Sequence, residues 1–131
     1  MGDHPNAETL RRGYAAFGSG DMDTLRELID ATVTWHSNGH NPLSGDYEGL
    51  EATLGLFGRF FEVTGGDISQ DLHAVFADDE HGVVLLRQHL GRPDGRWYDG
   101  NDVHVFHLAD GKVTEFWAYS EDEAAFDAAL S

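Results

Sequence analysis

The sequence predicts one α+β domain: a strongly curved antiparallel sheet shaped as a cone, with N-terminal helices covering its concave face. Two observations carry this expectation. The first half of the chain reads as helix, helix, strand, helix, and the second half as four extended segments separated by tight turn signals. Three helices can cover only one face of a bent sheet, which leaves a cavity between the two layers. At 131 residues the chain has the size of one domain, residues 1–131, and a chain of this size buries roughly two thirds of its unfolded surface. A core and a cavity are both within reach.

Asn6 is expected to cap a helix over 7–17, because Leu10, Tyr14 and Phe17 recur at helical spacing before Gly18-Ser19-Gly20 stops it. Asp21 caps a short second helix with Met22, Leu25, Leu28 and Ile29 on its apolar face. Thr32 to His36 alternates β-branched and aromatic residues, which reads as a strand, and the Asn, Gly and Pro content of 37–49 reads as a long loop. A third helix buries Leu50, Leu54, Phe57 and Phe61, with Phe60 beside them, and ends at Gly65-Gly66. Turns at Asp78-Asp79-Glu80, Arg92-Pro93-Asp94-Gly95 and Asp110-Gly111 then delimit strands near 68–77, 82–91, 96–108 and 113–119, an antiparallel meander. Ser120 with Glu123 forms a capping box for a last helix whose contacts are Phe126 and Leu130.

Composition narrows the function classes. Twenty-four acidic against eight basic residues give a formal charge of −16, a surface that repels phosphate backbones and anionic lipid, so no nucleic-acid or membrane partner is expected. The absence of cysteine removes disulfides and thiolate chemistry and fits a reducing, cytoplasmic setting. Met1-Gly2-Asp3-His4-Pro5 lacks the basic start and apolar stretch of a signal peptide, and Val83-Val84-Leu85-Leu86 is the longest aliphatic run.

Four stretches resemble the nuclear transport factor 2-like superfamily, which includes ketosteroid isomerases, limonene-epoxide hydrolases and SnoaL-type polyketide cyclases. They are Ala16 to Leu25, Trp35-His36 through Pro42 to Gly49, Val103 to Phe106, and Asp110 to Trp117. The resemblance implies a cystatin-like α+β roll, a cofactor-independent isomerase or cyclase, and a homodimer formed through the outer sheet face. Because the superfamily hosts enzymes, binders and scaffolds on one frame, activity has to be argued from the site.

Strand alternation sorts the candidates. With a tight turn after Ala77, His73, Val75, Leu85, Arg87 and His89 share one face. In the next strand the choice lies between Asp102, His104, Phe106 and Leu108 on one side and Val103, Val105 and His107 on the other. Similarity to the epoxide hydrolases implies that Asp102, His104 and Phe106 face inward, with Phe116, Ala118, Trp35 and Ser37. The other face, Val84, Leu86, Val103, Val105, Trp117 and Tyr119, is largely apolar and asks for a partner.

Asp102 is the leading catalytic candidate, since a carboxylate desolvated among Trp35, Phe57, Phe106 and Phe116 suits general acid–base work. A salt bridge with Arg87 or Arg96 is the structural alternative. The resemblance to SnoaL-type cyclases implies a role for His89 beside Asp102. His104 is a further proton-transfer candidate, and Arg87 an oxyanion or carboxylate binder. Phe61, His73 and Leu85 complete the expected lining for a small apolar organic ligand. His73, His89 and His104 could converge on a metal, but only the loosely placed His36 and His40 approach ligand spacing, so neither metal nor cofactor is expected. Trp35 stands where ketosteroid isomerases carry their catalytic carboxylate, and Ala118 where epoxide hydrolases carry an aspartate. Both departures speak against those two reactions.

Overall fold

Pro5 suits the first turn of a helix, having no N–H to leave unpaired, and Gly20 at φ 71° closes that helix in the left-handed region. The computed structural model describes residues 4–131. In chain order the elements are α1 (Pro5–Ser19), α2 (Met22–Leu28), β1 (Ile29–Ser37), β2 (Gly45–Glu48), α3 (Leu50–Thr64), β3 (Ile68–Ala77), β4 (His81–Gly91), β5 (Trp97–Ala109), β6 (Lys112–Tyr119) and α4 (Glu123–Leu130).

The strands form one open six-stranded sheet, ordered β2-β1-β6-β5-β4-β3. Neighbours are antiparallel except β1 and β6, which run parallel with Trp35 opposite Phe116. Irregularities at 29–34 of β1, at Leu72/Ala74 and at His107/Leu108 bend the sheet. Leu10 of α1 and Phe57 of α3 pack on the concave face against Phe106, Phe116, Val84 and Leu86. A second cluster, including Leu43, Leu56, Tyr98, Phe126 and Leu130, seals one end beneath α4. The α+β cone expected from the sequence is the architecture observed.

Three local expectations are corrected. Asn6 does not cap α1: His4 Nδ1 accepts from the Asn6 backbone N–H, while the buried Asn6 amide donates to the carbonyls of Asp78 and Asp79. That ties the start of α1 to the β3–β4 turn. Ser120 does not cap α4 either, since Asp122 accepts from the Ala125 N–H, and Ser120 instead takes a bond from Asn38. The expected loop at 37–49 contains β2, a short strand pairing with β1 through Tyr47 and Trp35.

The most consequential correction is one of register. Asp78 Oδ1 accepts from the backbone N–H groups of Glu80 and His81, and the resulting turn places Ala77 opposite Gly82 and Val75 opposite Val84, not Leu85. Since side chains alternate faces, a slip of one residue inverts the whole strand. Val84, Leu86, Gln88 and Leu90 therefore point inward and are buried, whereas Leu85, Arg87 and His89 point outward. His73 is the extra residue of the bulge and is exposed. The outer apolar face accordingly contains Val83 and Leu85 in place of Val84 and Leu86, next to Val103, Val105, Trp117 and Tyr119.

Candidate functional site

Between α1, α3 and the concave sheet face lies a cavity of about 110 Å³. Its aromatic wall follows from the alternation of β1, β5 and β6, which delivers Trp35, Phe106 and Phe116 to the same face, and from the helical spacing that brings Phe57 down from α3. Trp35 stacks on Phe116 with ring centroids 3.9 Å apart and meets Phe57 edge-on at 4.9 Å. Among the residues lining this cavity, the titratable side chains are Tyr14 and His104.

These two touch. The Tyr14 hydroxyl lies 2.5 Å from His104 Nδ1, and the rings stack at 5.8 Å. Burial acts on both in the direction of neutrality. Desolvation lowers the His104 pKa to about 3 and raises that of Tyr14 well above its usual value. At neutral pH the pair is an uncharged imidazole bonded to an uncharged phenol, with two proton arrangements open to it. Either Tyr14 O–H donates to Nδ1 and Nε2 carries the hydrogen, or Nδ1–H donates to the Tyr14 oxygen and Nε2 offers its lone pair. Nε2 has no hydrogen-bond partner among the described residues, and its side chain lines the cavity.

Asp102 is buried as well, but it stands behind the lining. Its Oδ1 accepts from the Tyr98 hydroxyl at 2.7 Å and the Glu121 backbone N–H at 3.0 Å, and its Oδ2 accepts from Gln88 Nε2 at 2.9 Å. Gln88 Oε1 in turn accepts from Gln70 Nε2 at 3.0 Å, and both glutamines line the cavity. Gly100 makes room for this arrangement: a Cβ there would collide with the Tyr98 hydroxyl and come within 2.8 Å of Asp102 Oδ1.

Of the residues singled out by sequence, the fold gathers Trp35, Phe57, Phe106, Phe116 and His104 around the cavity. Phe61 stacks on Phe17 at 4.9 Å outside the lining, and His73 and Leu85 sit on the convex side. Arg87 lies outside too, 3.9 Å from Glu121. His89 is held between Asp99 at 2.5 Å and Asp67 at 3.0 Å, contacts that raise its pKa, Asp99 contributing most. His73, His89 and His104 thus do not converge, and among the described residues no group of histidines and carboxylates is placed to hold a metal. Sequence reasoning misses Tyr14, Gln70 and Gln88. Tyr14 occupies the apolar stripe of α1 and reads there as a core aromatic, while Gln88 is hidden by the register slip.

The SnoaL-like domain family matches residues 10–116. This chain belongs to that family. Bal32a, encoded on a soil-derived mobile gene cassette, superposes with a TM-score of 0.92 at 38% identity, covering 97% of each chain. A protein of unknown function with a cystatin-like fold from Xanthomonas campestris gives a TM-score of 0.89 at 23% identity over 96% of this chain and 98% of its own. A putative SnoaL-like polyketide cyclase from Jannaschia sp. CCS1 gives 0.78 at 26% identity, over 97% and 92%. The family match, with the putative polyketide cyclase among the neighbours, supports a family of ligand-binding, isomerase- or cyclase-type proteins. No helix among the described residues is long and apolar enough to cross a membrane.

Proposed function

We propose that this SnoaL-like protein binds a small, mainly apolar carbonyl compound and isomerises or cyclises it by cofactor-independent proton transfer through His104 and Tyr14. The observation that carries the reading is the neutral imidazole–phenol pair, bonded at 2.5 Å, on the wall of an aromatic cavity. A free imidazolium would cost about 5 kcal/mol at this site, from a pKa of about 3 against the ordinary 6.5. Concerted exchange avoids that charge. With Nδ1–H bonded to Tyr14, Nε2 takes a proton from the carbon next to the carbonyl, Nδ1–H passes to the phenol oxygen, and the phenol proton moves to the carbonyl oxygen. The C–H bond breaks, the C=C of the enol forms, and the C=O π pair becomes the O–H bond. Running the exchange backward at another carbon gives isomerisation; for ring closure the enol carbon attacks a second carbonyl, Nε2–H protonates the oxygen of that carbonyl, the phenol proton returns to Nδ1 and the enol O–H proton to the Tyr14 oxygen, so either course resets the pair.

The Jannaschia neighbour, described as a putative polyketide cyclase, supports a carbonyl-rich substrate class. Asp102, first in line by sequence, takes a supporting place in this scheme because Gln88 stands between it and the cavity. We further infer a cytoplasmic homodimer joined through Val83, Leu85, Val103, Val105 and Trp117 on the convex face.

The test uses 2-tetralone, an apolar bicyclic ketone, and follows deuterium exchange at its α-carbons by NMR. Wild type is expected to accelerate exchange, with His104→Gln and Tyr14→Phe each slowing it by about 10²-fold or more. Binding without acceleration would replace this reading with a non-catalytic carrier of an apolar metabolite, which the otherwise uncharged lining would also serve.

A further inference from the structure

The buried carboxylate of Asp102 is not idle behind the lining, because it sets the direction of the amides in front of it. We propose that Asp102 is a positioning residue whose acceptor-only chemistry orients Gln88 and then Gln70, so that the cavity presents the Gln70 carbonyl oxygen and selects ligands carrying a hydroxyl donor. This deepens the carbonyl-binding reading above and rests on it: the ligand becomes a hydroxy-carbonyl compound, its carbonyl at Tyr14 and His104 and its hydroxyl at Gln70.

For the ionised carboxylate, which has no hydrogen to give, the proton bookkeeping has one solution. A backbone N–H can only donate, so the Glu121 N–H at 3.0 Å marks Asp102 Oδ1 as an acceptor. The Tyr98 oxygen already faces the Asp122 N–H at 3.5 Å, so its own hydrogen points to Asp102 Oδ1, 2.7 Å away. Oδ2 remains for Gln88, whose NH₂ group therefore faces the carboxylate. That leaves Gln88 Oε1 directed at Gln70, whose NH₂ must answer it at 3.0 Å. Gln70 Oε1 is then turned away from the relay, and among the described residues it has no hydrogen-bond partner. Amide orientation, normally a matter of choosing between two near-identical fits, follows here from the chain of contacts that begins at the carboxylate.

The two polar stations are separated. On the paired strands Gln88 lies opposite Gly100 and His104 opposite Val84, so two inward steps, about 13 Å along the sheet, divide the relay from the imidazole. A ligand that engages both is elongated, with an acceptor at one end and a donor at the other, and Phe106 and Phe116, paired with each other beyond His104, flank its acceptor end.

Asp102→Asn supplies the test because it reverses the relay. The Glu121 and Tyr98 donors hold the one oxygen left on the substituted side chain, and its new NH₂ group takes the place of Oδ2. Gln88 must then flip to accept, and Gln70 flips to show N–H to the cavity. The probes are 2-naphthol, which donates, and 2-methoxynaphthalene, which only accepts, with binding measured by calorimetry. Wild type is expected to prefer 2-naphthol by about three- to tenfold, the range of one neutral hydrogen bond. In Asp102→Asn the preference should invert, and in Gln70→Leu, which leaves the carboxylate network intact and guards against a folding defect in the first variant, it should vanish. Equal preference in all three proteins, with both probes bound and His104→Gln still impaired in 2-tetralone exchange, would overturn the relay while leaving the proton-transfer reading standing. Failure of wild type to bind either probe would overturn the relay, and the proton-transfer reading falls with it only if 2-tetralone exchange is also not accelerated.

Discussion

His104 should make this protein acid-sensitive in a way that one substitution removes. Its folded pKa is lowered from 6.5 to about 3 by burial, so between those values the unfolded chain holds a proton that the folded chain refuses. Stability then rises with pH: the contribution is complete above about 6.5 and is lost as pH falls toward 3. At pH 5 the unfolded state is favoured by one and a half pH units at about 1.4 kcal/mol each, or about 2 kcal/mol, and at pH 4 by about 3 kcal/mol. His36 and His89 work in the opposite direction, since their acidic neighbours raise their pKa values, Glu115 leading for His36 and Asp99 for His89. The wild-type curve is therefore a sum, and only its difference from His104→Gln isolates the buried ring. Urea unfolding followed by tryptophan fluorescence at pH 7.5, 6, 5 and 4 gives that difference directly. The gap between the two proteins should shift by about 2 kcal/mol in favour of the variant from pH 7.5 to pH 5. Parallel curves, separated by a constant amount, would mean that the imidazole titrates normally and would remove the neutral pair from the mechanism.

Arg87→Ala and His89→Ala lie on the convex side and should leave 2-tetralone exchange within a factor of about two of wild type, with stability changes of up to about 1 kcal/mol for Arg87, whose ion pair is exposed. Gly100→Ala drives a methyl group into the Tyr98 hydroxyl and should cost about 2 kcal/mol or more in chemical denaturation, through the lost Tyr98 to Asp102 bond and the local shift. Trp117→Arg places a charge at the centre of the convex apolar row and should convert a dimer to monomer by sedimentation velocity without changing the far-ultraviolet spectrum. An unchanged sedimentation coefficient would move the dimer contact elsewhere or remove it.

Elements are legible where local chemistry decides them. The Asp110-Gly111 hairpin is an example: Asp110 has φ 52° and Gly111 φ 78°, and this dipeptide tolerates the paired left-handed geometry better than most. Asp21 at the head of α2 behaves likewise, its carboxylate accepting from the Thr24 N–H as its position foretells. The aromatic wall is also legible, because three strands each place their rings at alternate positions. What escapes are features set by one residue of spacing or by distant partners. The β3–β4 turn could be closed with either parity, and only the Asp78 side chain bonding two successive N–H groups selects the one that turns Arg87 and His89 out and Gln88 in. Tyr14 and His104 lie far apart in sequence, and nothing in either neighbourhood announces that they meet. The burial of Asp102 follows from alternation, but the amides interposed between it and the cavity do not.

The parallel pairing of β1 with β6 has a consequence in time. Trp35 has its sheet neighbour at Phe116, on the last strand of the meander, so the ribbon made of β1 and β2, although α3 packs on it through Phe57, has no sheet partner until the whole meander has left the ribosome. Until then its edge, ready for strand addition, is open to any other unfinished chain. The closing of the sheet is a late, long-range event of the kind that slows folding, and it is the same event that brings Trp35 onto Phe116 and completes the cavity wall. A folding chain of this protein completes the cavity wall and covers that edge of β1 in one step.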